Sequence, residues 1–222
     1  MEEHIVKIIG TEQLTHDVKK FQVDKPSGYS FVPGQATDVS VNRPDLRNKK
    51  RPFTFTGLTG DPYLEFVIKI YPAHKGVTSE LDKLKPGDEI IIRDAWGAIS
   101  YKGEGVFIAG GAGITPFISI FRDLQEKNEI GGNTLIFANK TKADIILEQE
   151  FQMLLGKDYI NILSDETVDG YYHGMLSEDF LRARISDFNR NFYVCGPPPM
   201  MIVVKKQLAN LGVSKNSIVV EF

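Results

Sequence analysis

The sequence is poor in the residues that hold metal clusters and disulfides. Its 222 residues include one cysteine, Cys195, and four histidines. A single cysteine forms no intrachain disulfide, and an iron–sulfur cluster needs about four thiolates. The histidines share no short metal-ligand spacing, so we expect no metal site. The composition therefore excludes a reductase that carries its own iron–sulfur cluster within this chain.

Long apolar runs and an excess of one charge are also missing. The longest uncharged run, residues 105–121, is interrupted by glycine and proline and is shorter than the roughly 20 residues of a spanning helix. The 26 Lys+Arg and 29 Asp+Glu residues leave a net charge of −3, which argues against a dedicated nucleic-acid binder. The acidic N-terminus lacks the basic segment of a secretory signal. We expect a soluble, cytoplasmic protein with neither a membrane span nor a nucleic-acid partner.

Turn residues and periodicity divide the chain into two halves. In the first, short β-rich runs alternate with Gly, Pro and Asp, which predicts an antiparallel β-barrel or sandwich with one short helix. Its predicted strands are residues 4–9, 18–23, 36–41, 52–56, 63–71 and 89–93, and its helix is 77–84.

In the second half, apolar strands alternate with helices, which predicts a parallel sheet of five strands. The predicted strands are residues 106–109, 134–138, 159–163, 192–195 and 217–222, with helices at 116–127, 147–155, 177–184 and 199–211. We therefore expect two domains, a β domain over residues 1–101 and an α/β domain over residues 102–222.

A glycine turn follows the first strand of the second half. The segment Gly110-Gly111-Ala112-Gly113 lies at the expected carboxyl end of that strand, and a helix is predicted to begin at Pro116. The N–H groups of such a turn can approach a pyrophosphate, and the helix N-terminus adds a partial positive charge. The other interpretation is a plain strand–turn–helix in which glycine only permits close packing. Pro116 stands where the dinucleotide fingerprint has its third glycine, which weakens the ordinary Rossmann interpretation.

A second turn, Cys195-Gly196-Pro197-Pro198-Pro199, follows the fourth strand of the second half. It lies at the same predicted edge, where ligands bind in open α/β sheets. Consecutive prolines hold an extended turn rigidly before the next helix. A free cysteine is more often a small buried apolar residue. Cys195 therefore has a structural interpretation beside the functional one.

Two segments of the first half combine glycine or arginine with hydroxyl side chains. They are Arg51-Pro52-Phe53-Thr54 on a predicted strand and Gly76-Val77-Thr78-Ser79 at the start of the short helix. The first can be an ordinary strand with a surface arginine and a core phenylalanine. The second can be a simple helix cap, because Ser and Thr are good N-cap residues, or an anion site at a helix start.

Taken in order, these four segments make the chain resemble the ferredoxin–NADP⁺ reductase superfamily. The matching motifs are Arg-x-aromatic-Ser/Thr, Gly-x-x-Ser/Thr, Gly-Gly-x-Gly-x-x-Pro and Cys-Gly-Pro-Pro-x-Met, together with the aromatic C-terminal residue Phe222. The resemblance covers essentially the whole chain. It implies a flavin-binding β-barrel followed by an α/β domain that binds a nicotinamide dinucleotide. FAD is the implied flavin, with FMN as the less favoured one.

The resemblance also implies roles for individual residues. Arg51 would pair with the FAD pyrophosphate, Phe53 would pack against the flavin ring, and Thr54 would hydrogen-bond near flavin N5. The other implied flavin-binding residues are Pro52, Ile68, Lys69, Ile70, Gly76, Val77, Thr78 and Ser79. The implied dinucleotide-binding residues are Gly111, Gly113, Ile114, Thr115, Pro116, Asp165, Cys195, Gly196 and Pro197. Cys195 would lie against the nicotinamide and Phe222 would stack on the flavin, so Thr54, Cys195 and Phe222 are the implied catalytic residues.

Residues after the second and third strands of this half bear on the choice between NADH and NADPH. A 2′-phosphate favours Arg or Lys, whereas a free 2′-hydroxyl tolerates a carboxylate such as that of Asp165. The segment from Asn139 to Asp144 resembles the Asn-x-Thr-x-x-Asp segment of the NADH-dependent cytochrome b5 reductase branch. We predict a preference for NADH, although Lys140 and Lys142 could still reach a 2′-phosphate.

The resemblance implies an NAD(P)H-dependent flavoprotein reductase. Hydride would pass from NAD(P)H to FAD, and single electrons would then leave to a separate acceptor such as flavodoxin or ferredoxin. The basic stretch at residues 47–51 could steer an acidic acceptor, or it could be a solvated loop. The alternatives are the reductase component of an oxygenase, a flavin or ferric reductase, a regulatory homologue or nucleotide-binding regulator, and a non-catalytic FAD-binding electron-transfer subunit.

Overall fold

The computed structural model describes residues 2–74 and 76–220. The chain divides into two compact units. The first contains residues 1–97 and Thr115–Asp123, and the second contains Ala98–Ile114 and residues 124–222. Within the described residues, no helix is both long enough and apolar enough to cross a membrane.

Up to residue 97, the described part of the first unit contains six antiparallel strands and one short α-helix. The strands are β1 (Glu3–Thr15), β2 (Val18–Asp24), β3 (Ala36–Val41), β4 (Arg51–Thr54), β5 (Tyr63–Lys69) and β6 (Glu89–Arg93), and the helix is α1 (Val77–Asp82). They are hydrogen-bonded in the order β4-β3-β6-β1-β2-β5. Just beyond β4, Phe55 bridges Phe66 of β5, and the Thr56 N–H donates to the Glu65 carbonyl at 2.9 Å. The two outer strands therefore meet, which closes the sheet into a barrel.

Aromatic rings fill the interior of this barrel. Phe55 is fully buried and stacks on Phe31 with 4.2 Å between ring centroids. Its centroid also lies 5.1 Å from that of Phe66. Such pairs contribute about 0.5–1.5 kcal/mol each beyond the burial of their surface. The segment that follows β4 is thus held firmly by its neighbours in the core.

The second unit is a sheet whose strands alternate with helices along the chain. Its strands are β7 (Gly105–Gly110), β8 (Thr134–Asn139), β9 (Tyr159–Leu163), β10 (Tyr172–His173), β11 (Asn191–Cys195) and β12 (Ile218–Val220). The helices of this part of the chain are α2 (Thr115–Glu126), α3 (Glu148–Leu155), α4 (Glu178–Arg184) and α5 (Pro198–Asn210). The strand order is β10-β9-β8-β7-β11-β12, and every neighbouring pair is parallel. From β7 the chain runs outward to β10 and then returns to β11 on the other side of β7, which makes β7 and β11 a topological switch point.

The predicted fold class, an antiparallel barrel followed by a parallel α/β unit, is confirmed. The parallel sheet has a sixth strand, β10, whose two exposed residues carry no apolar run that would predict it. β1 continues to Thr15 because Gly10 marks a shift in pairing register rather than the end of the strand. Of the last predicted strand, Ile218–Val220 forms β12, and Phe222 lies outside the described residues.

Candidate functional site

The segment with the flavin-type motif forms β4, which pairs with β3 in the barrel. Thr54 is buried and Phe53 is half-buried against the core, whereas Arg51 and Pro52 are exposed. The Arg51 guanidinium donates to the Lys50 carbonyl at 3.0 Å and makes no ion pair within the described part of the chain. A guanidinium that is not neutralised by a carboxylate, beside a half-buried ring, fits an anionic aromatic ligand such as a flavin nucleotide.

Three further predicted flavin-binding residues lie on or just after β5. The side chains of Ile68 and Ile70 are buried in the barrel core. The Lys69 ammonium pairs with the Asp17 carboxylate at 2.7 Å between Nζ and Oδ2. These side chains already have partners within the barrel. A ligand would therefore contact chiefly the main chain of this strand.

The predicted pyrophosphate segment opens α1. Gly76 is the N-cap residue, and no described side chain caps the helix. The Ser79 hydroxyl instead donates to the Gly76 carbonyl at 2.9 Å, and Thr78 Oγ1 accepts from the Tyr71 N–H at 3.3 Å. The side chain of Val77 is buried. Simple hydroxyl capping is therefore not the role of these residues.

Parallel pairing of β7 with β11 brings the two glycine-containing turns together at the carboxyl edge of the sheet. Ala109 is the register partner of Cys195, so the turns that follow emerge side by side. A Cβ on Gly113 would stand 2.3 Å from the Cys195 carbonyl oxygen, and a Cβ on Gly196 would stand 3.1 Å from the Gly110 nitrogen. Glycine is required at Gly113 because no side chain fits against the neighbouring main chain.

Gly111 has a different role in the same turn. Its φ of +51° lies in the left-handed region, and nothing lies within 4 Å of the position that its Cβ would take. The short 3₁₀ turn Gly111–Ile114 leads directly into α2 at Thr115. Open space beside Gly111, directly ahead of a helix start, fits a pyrophosphate. Close packing at Gly113 and an open cradle at Gly111 therefore coexist in one turn.

The remaining predicted residues of these two turns differ in exposure. Ile114 and Pro116 are buried and Thr115 is half-buried. Cys195 is 2% exposed, whereas Pro197, the N-cap residue of α5, is exposed. The burial of Cys195 agrees with a packing role and also with a thiol covered by a neighbouring turn.

The loops after β8 and β9 are hydrogen-bonded to each other at the carboxyl edge. The Asn139 carbonyl accepts from the Ser164 N–H at 3.0 Å, and the Lys140 carbonyl accepts from the Asp165 N–H at 2.9 Å. The exposed Asp165 carboxylate also accepts from the Ser164 hydroxyl at 2.6 Å. A carboxylate is thus held at the edge where the sequence predicts the adenosine ribose.

Lys142, one of the two lysines that could reach a 2′-phosphate, is engaged within the second unit. Its N–H donates to Glu166 Oε2 at 2.7 Å, and its ammonium lies 5.1 Å from the centroid of the Tyr171 ring. Tyr171 donates its hydroxyl proton to Glu148, and burial together with this carboxylate raises the Tyr171 pKa. These acidic and aromatic groups oppose the binding of a 2′-phosphate by Lys142.

Sequence reasoning missed a buried polar network in the first unit. Glu65, 4% exposed, accepts from Arg122 Nη1 at 2.7 Å and from Thr56 Oγ1 at 3.0 Å. Ser119, fully buried, accepts from the Gly34 N–H at 3.0 Å. The signals in the sequence are Glu65 within the otherwise apolar run Leu64–Ile68 of β5 and Arg122 directly after the largely apolar residues 117–121 of α2.

Comparisons with known proteins agree with this arrangement. The model of the oxidoreductase FAD-binding domain matches residues 5–101, and that of the oxidoreductase NAD-binding domain matches residues 107–206. NADH-cytochrome b5 reductase 1 of Aspergillus oryzae is 30% identical over 91% of this chain and 77% of its own length. The reductase component of propane 2-monooxygenase from Rhodococcus jostii is 28% identical, over 96% of this chain and 61% of its own length.

A solved structure shares the fold over the whole chain. The ferredoxin–NADP⁺ reductase of Neisseria gonorrhoeae, solved with bound FAD and NADP, is 17% identical. It superposes with a TM-score of 0.86 over 100% of this chain and 98% of that one. With both domain models matched in order and a relative at 30% identity, the chain belongs to the ferredoxin–NADP⁺ reductase superfamily, as an NAD(P)H-dependent flavoprotein oxidoreductase with FAD- and NAD-binding domains.

Proposed function

We propose that this chain is an NADH-preferring reductase that passes electrons through FAD to a separate one-electron acceptor protein. The observation that carries the proposal is the meeting of the Gly113 turn with Cys195 at the switch point of the parallel sheet. When bound, the cofactors would supply the redox chemistry, a hydride transfer in which NADH is oxidised and FAD is reduced. The protein binds and orients both.

The barrel residues are proposed to hold FAD. Arg51 pairs with the pyrophosphate, Phe53 packs against the ring, and Thr54 hydrogen-bonds near N5. The exposed guanidinium, the half-buried ring and the buried hydroxyl support these roles. Pro52, Ile68, Lys69, Ile70, Gly76, Val77, Thr78 and Ser79 complete the proposed flavin site. We retain the domain boundary between residues 101 and 102, which the end of the FAD-domain match at residue 101 supports.

The nicotinamide nucleotide is proposed to lie along the carboxyl edge of the parallel sheet. Gly111 offers its main chain to the pyrophosphate, and the open space above it supports this role. Cys195 is proposed to lie against the nicotinamide. Gly113, Ile114, Thr115, Pro116, Gly196 and Pro197 complete the proposed site. Phe222, proposed to stack on the flavin, lies outside the described residues.

The preference for NADH rests on the groups near the proposed ribose site. The exposed Asp165 carboxylate repels a 2′-phosphate and accepts a hydrogen bond from a 2′-hydroxyl. Glu166 and Tyr171 hold Lys142 near them. Of the two lysines that could favour NADPH, Lys142 has its ammonium over the Tyr171 ring, whereas the Lys140 side chain makes no hydrogen bond or ion pair with another described residue.

The acceptor is proposed to be an acidic electron carrier, such as a flavodoxin, a ferredoxin or an oxygenase component. Lys49, Lys50 and Arg51 are exposed, and no described carboxylate pairs with them. A positive surface beside the flavin segment favours rapid association with an acidic partner. The similarity to a monooxygenase reductase component supports an oxygenase as the second candidate.

A visible spectrum and an anaerobic titration test the proposal. The purified protein should carry a flavin spectrum that bleaches with NADH at least tenfold more efficiently than with NADPH. Flavodoxin, ferredoxin, cytochrome b5 and a ferric chelate are then compared as acceptors at low and high salt. A colourless chain that takes up no FAD would refute the function. Reduction of the ferric chelate alone would refute a protein acceptor.

A further inference from the structure

The first half of α2 is anchored by a buried hydroxyl. Ser119 Oγ accepts from the Gly34 N–H at 3.0 Å and donates to the Pro116 carbonyl at 3.3 Å. Ser119 is fully buried. One side chain therefore connects the proposed nicotinamide residue Pro116 to the loop ahead of β3.

A second anchor lies one turn further along α2. Arg122 Nη1 donates to Glu65 Oε1 at 2.7 Å and to the Thr56 carbonyl at 2.9 Å. Thr56 Oγ1 donates to the same carboxylate oxygen at 3.0 Å. Thr56 and Glu65 also pair through their main chains where β4 and β5 close the barrel. The arginine is therefore fixed to the segment that continues directly from Thr54.

These anchors do more than fill space. Ser119 and Arg122 are three residues apart, so they project from neighbouring positions on one face of the helix. An apolar pair of similar volume usually stabilises a fold as well as a buried ion pair does. Stability alone therefore does not explain the ion pair between Arg122 and Glu65. Directional hydrogen bonds additionally fix the position of the helix along its axis and its rotation about that axis. The compact unit that contains β4 and β5 also contains Thr115–Asp123.

We propose that Ser119 and Arg122 are positioning residues for hydride transfer, acting through Pro116 and Thr115. The inference rests on the proposed roles of Thr54, Thr115 and Pro116. Arg122 lies about 10 Å along the helix from Thr115, at roughly 1.5 Å per residue. A helix this short is stiff, so fixing Arg122 and Ser119 fixes the first turn against the flavin segment. A displacement of about 1 Å at the reacting centre can cost roughly 100-fold in rate.

The test uses the FAD-loaded full chain and two variants. Glu65→Gln with Arg122→Met keeps an acceptor for Thr56 and leaves no unpaired buried charge. Ser119→Ala removes the other anchor with a smaller change, which keeps the test informative if the double variant fails to fold. Glu178→Gln with Arg182→Met removes an exposed ion pair on α4 (3.0 Å) and is the matched control.

Four quantities are measured: the rate of anaerobic flavin reduction at saturating NADH, the Kd of NAD⁺, the FAD content, and amide hydrogen exchange along α2. We expect reduction to slow at least tenfold in both test variants, with NAD⁺ affinity and FAD content within twofold of wild type. Exchange in the first turns of α2 should rise. The control should match wild type throughout, and charge reversal by Glu65→Arg with Arg122→Glu should restore part of the rate.

Two outcomes would overturn the inference. If flavin reduction stays within twofold of wild type while exchange rises, the anchors only stabilise the helix. If the rate falls in parallel with FAD content, they support the flavin site rather than the geometry of transfer. A wild-type chain that neither NADH nor NADPH reduces would instead refute the proposed function, which separates the two failures.

Discussion

Gly113 lies against the main chain of Cys195, so that a Cβ on Gly113 would stand 2.3 Å from the carbonyl oxygen and 2.5 Å from the carbonyl carbon. Both atoms belong to the end of a central strand rather than to a flexible side chain. The two turns of the proposed nucleotide edge are therefore in contact through glycine. This contact predicts that the turn after β7 does not tolerate a side chain at this position.

Replacing Gly113 with alanine tests that contact. We expect Gly113→Ala to lower the free energy of unfolding by about 1–3 kcal/mol or more, because one of two main-chain segments must move. Gly131→Ala is the control, since its added methyl meets nothing within 4 Å. Urea unfolding measures both variants. An equal effect in the two would show that the contact with Cys195 is not tight.

Cys195→Ala tests whether the buried thiol serves the reaction. We expect the rate of hydride transfer from NADH to fall by roughly tenfold, because the variant lacks the thiol that is proposed to hold the nicotinamide in register. FAD content should stay at the wild-type level. The measurement is stopped-flow bleaching of the flavin, with Cys195→Ser as the isosteric comparison. Loss of flavin and a lower Tm, with normal transfer in the retained holoenzyme, would make Cys195 a packing residue.

Asp165→Ser tests the choice of dinucleotide. Removing the carboxylate should raise kcat/KM for NADPH by about tenfold, an effect of roughly 1.4 kcal/mol, because the variant lacks the like charge that is proposed to face the 2′-phosphate. The value for NADH should fall at the same time. Asp169→Ser, another exposed carboxylate of the same loop, is the control. Unchanged ratios of the two kcat/KM values would place the ribose elsewhere.

Tyr193 gives a prediction for alkaline pH. Burial raises the pKa of Tyr193 to about 12, and its hydroxyl donates to the Gly103 carbonyl at 2.7 Å and accepts from the Lys102 N–H at 2.8 Å. The folded chain thus holds this proton more tightly than the unfolded chain, whose tyrosine titrates near pH 10. The resulting stabilisation is complete below pH 10 and is lost as the pH rises through about 12.

Tyr193→Phe should therefore change two observables. The free energy of unfolding at pH 8 should fall by about 1–3 kcal/mol, because the Lys102 N–H and Gly103 carbonyl lose their partner. Between pH 10 and 12 the variant should lose stability less steeply than wild type. Urea unfolding at several pH values measures both. Equal slopes would mean that Tyr193 does not titrate with unfolding.

The fold class was predictable because it depends on local periodicity. Period-two alternation with glycine and proline breaks predicts the barrel, and apolar strands alternating with helices predict the parallel sheet. The four motif segments were visible for the same reason, since each is contiguous in the chain. The short strand β10 and the continuation of β1 past Gly10 were not predictable, because pairing with a neighbour rather than local pattern forms them.

The sequence by itself determined the two architectures, the order of the motifs and the absence of a cluster-binding cysteine set. Cytoplasmic location, the acceptor and the residue roles remain predictions. Only the tertiary structure decided which glycine packs and which stays open, that Lys142 lies over Tyr171, and that Arg122 meets Glu65 at a separation of 57 residues. Strand order and register bring such groups together. No local sequence pattern encodes strand order or register, because the free energy that selects both comes from burial of the whole core.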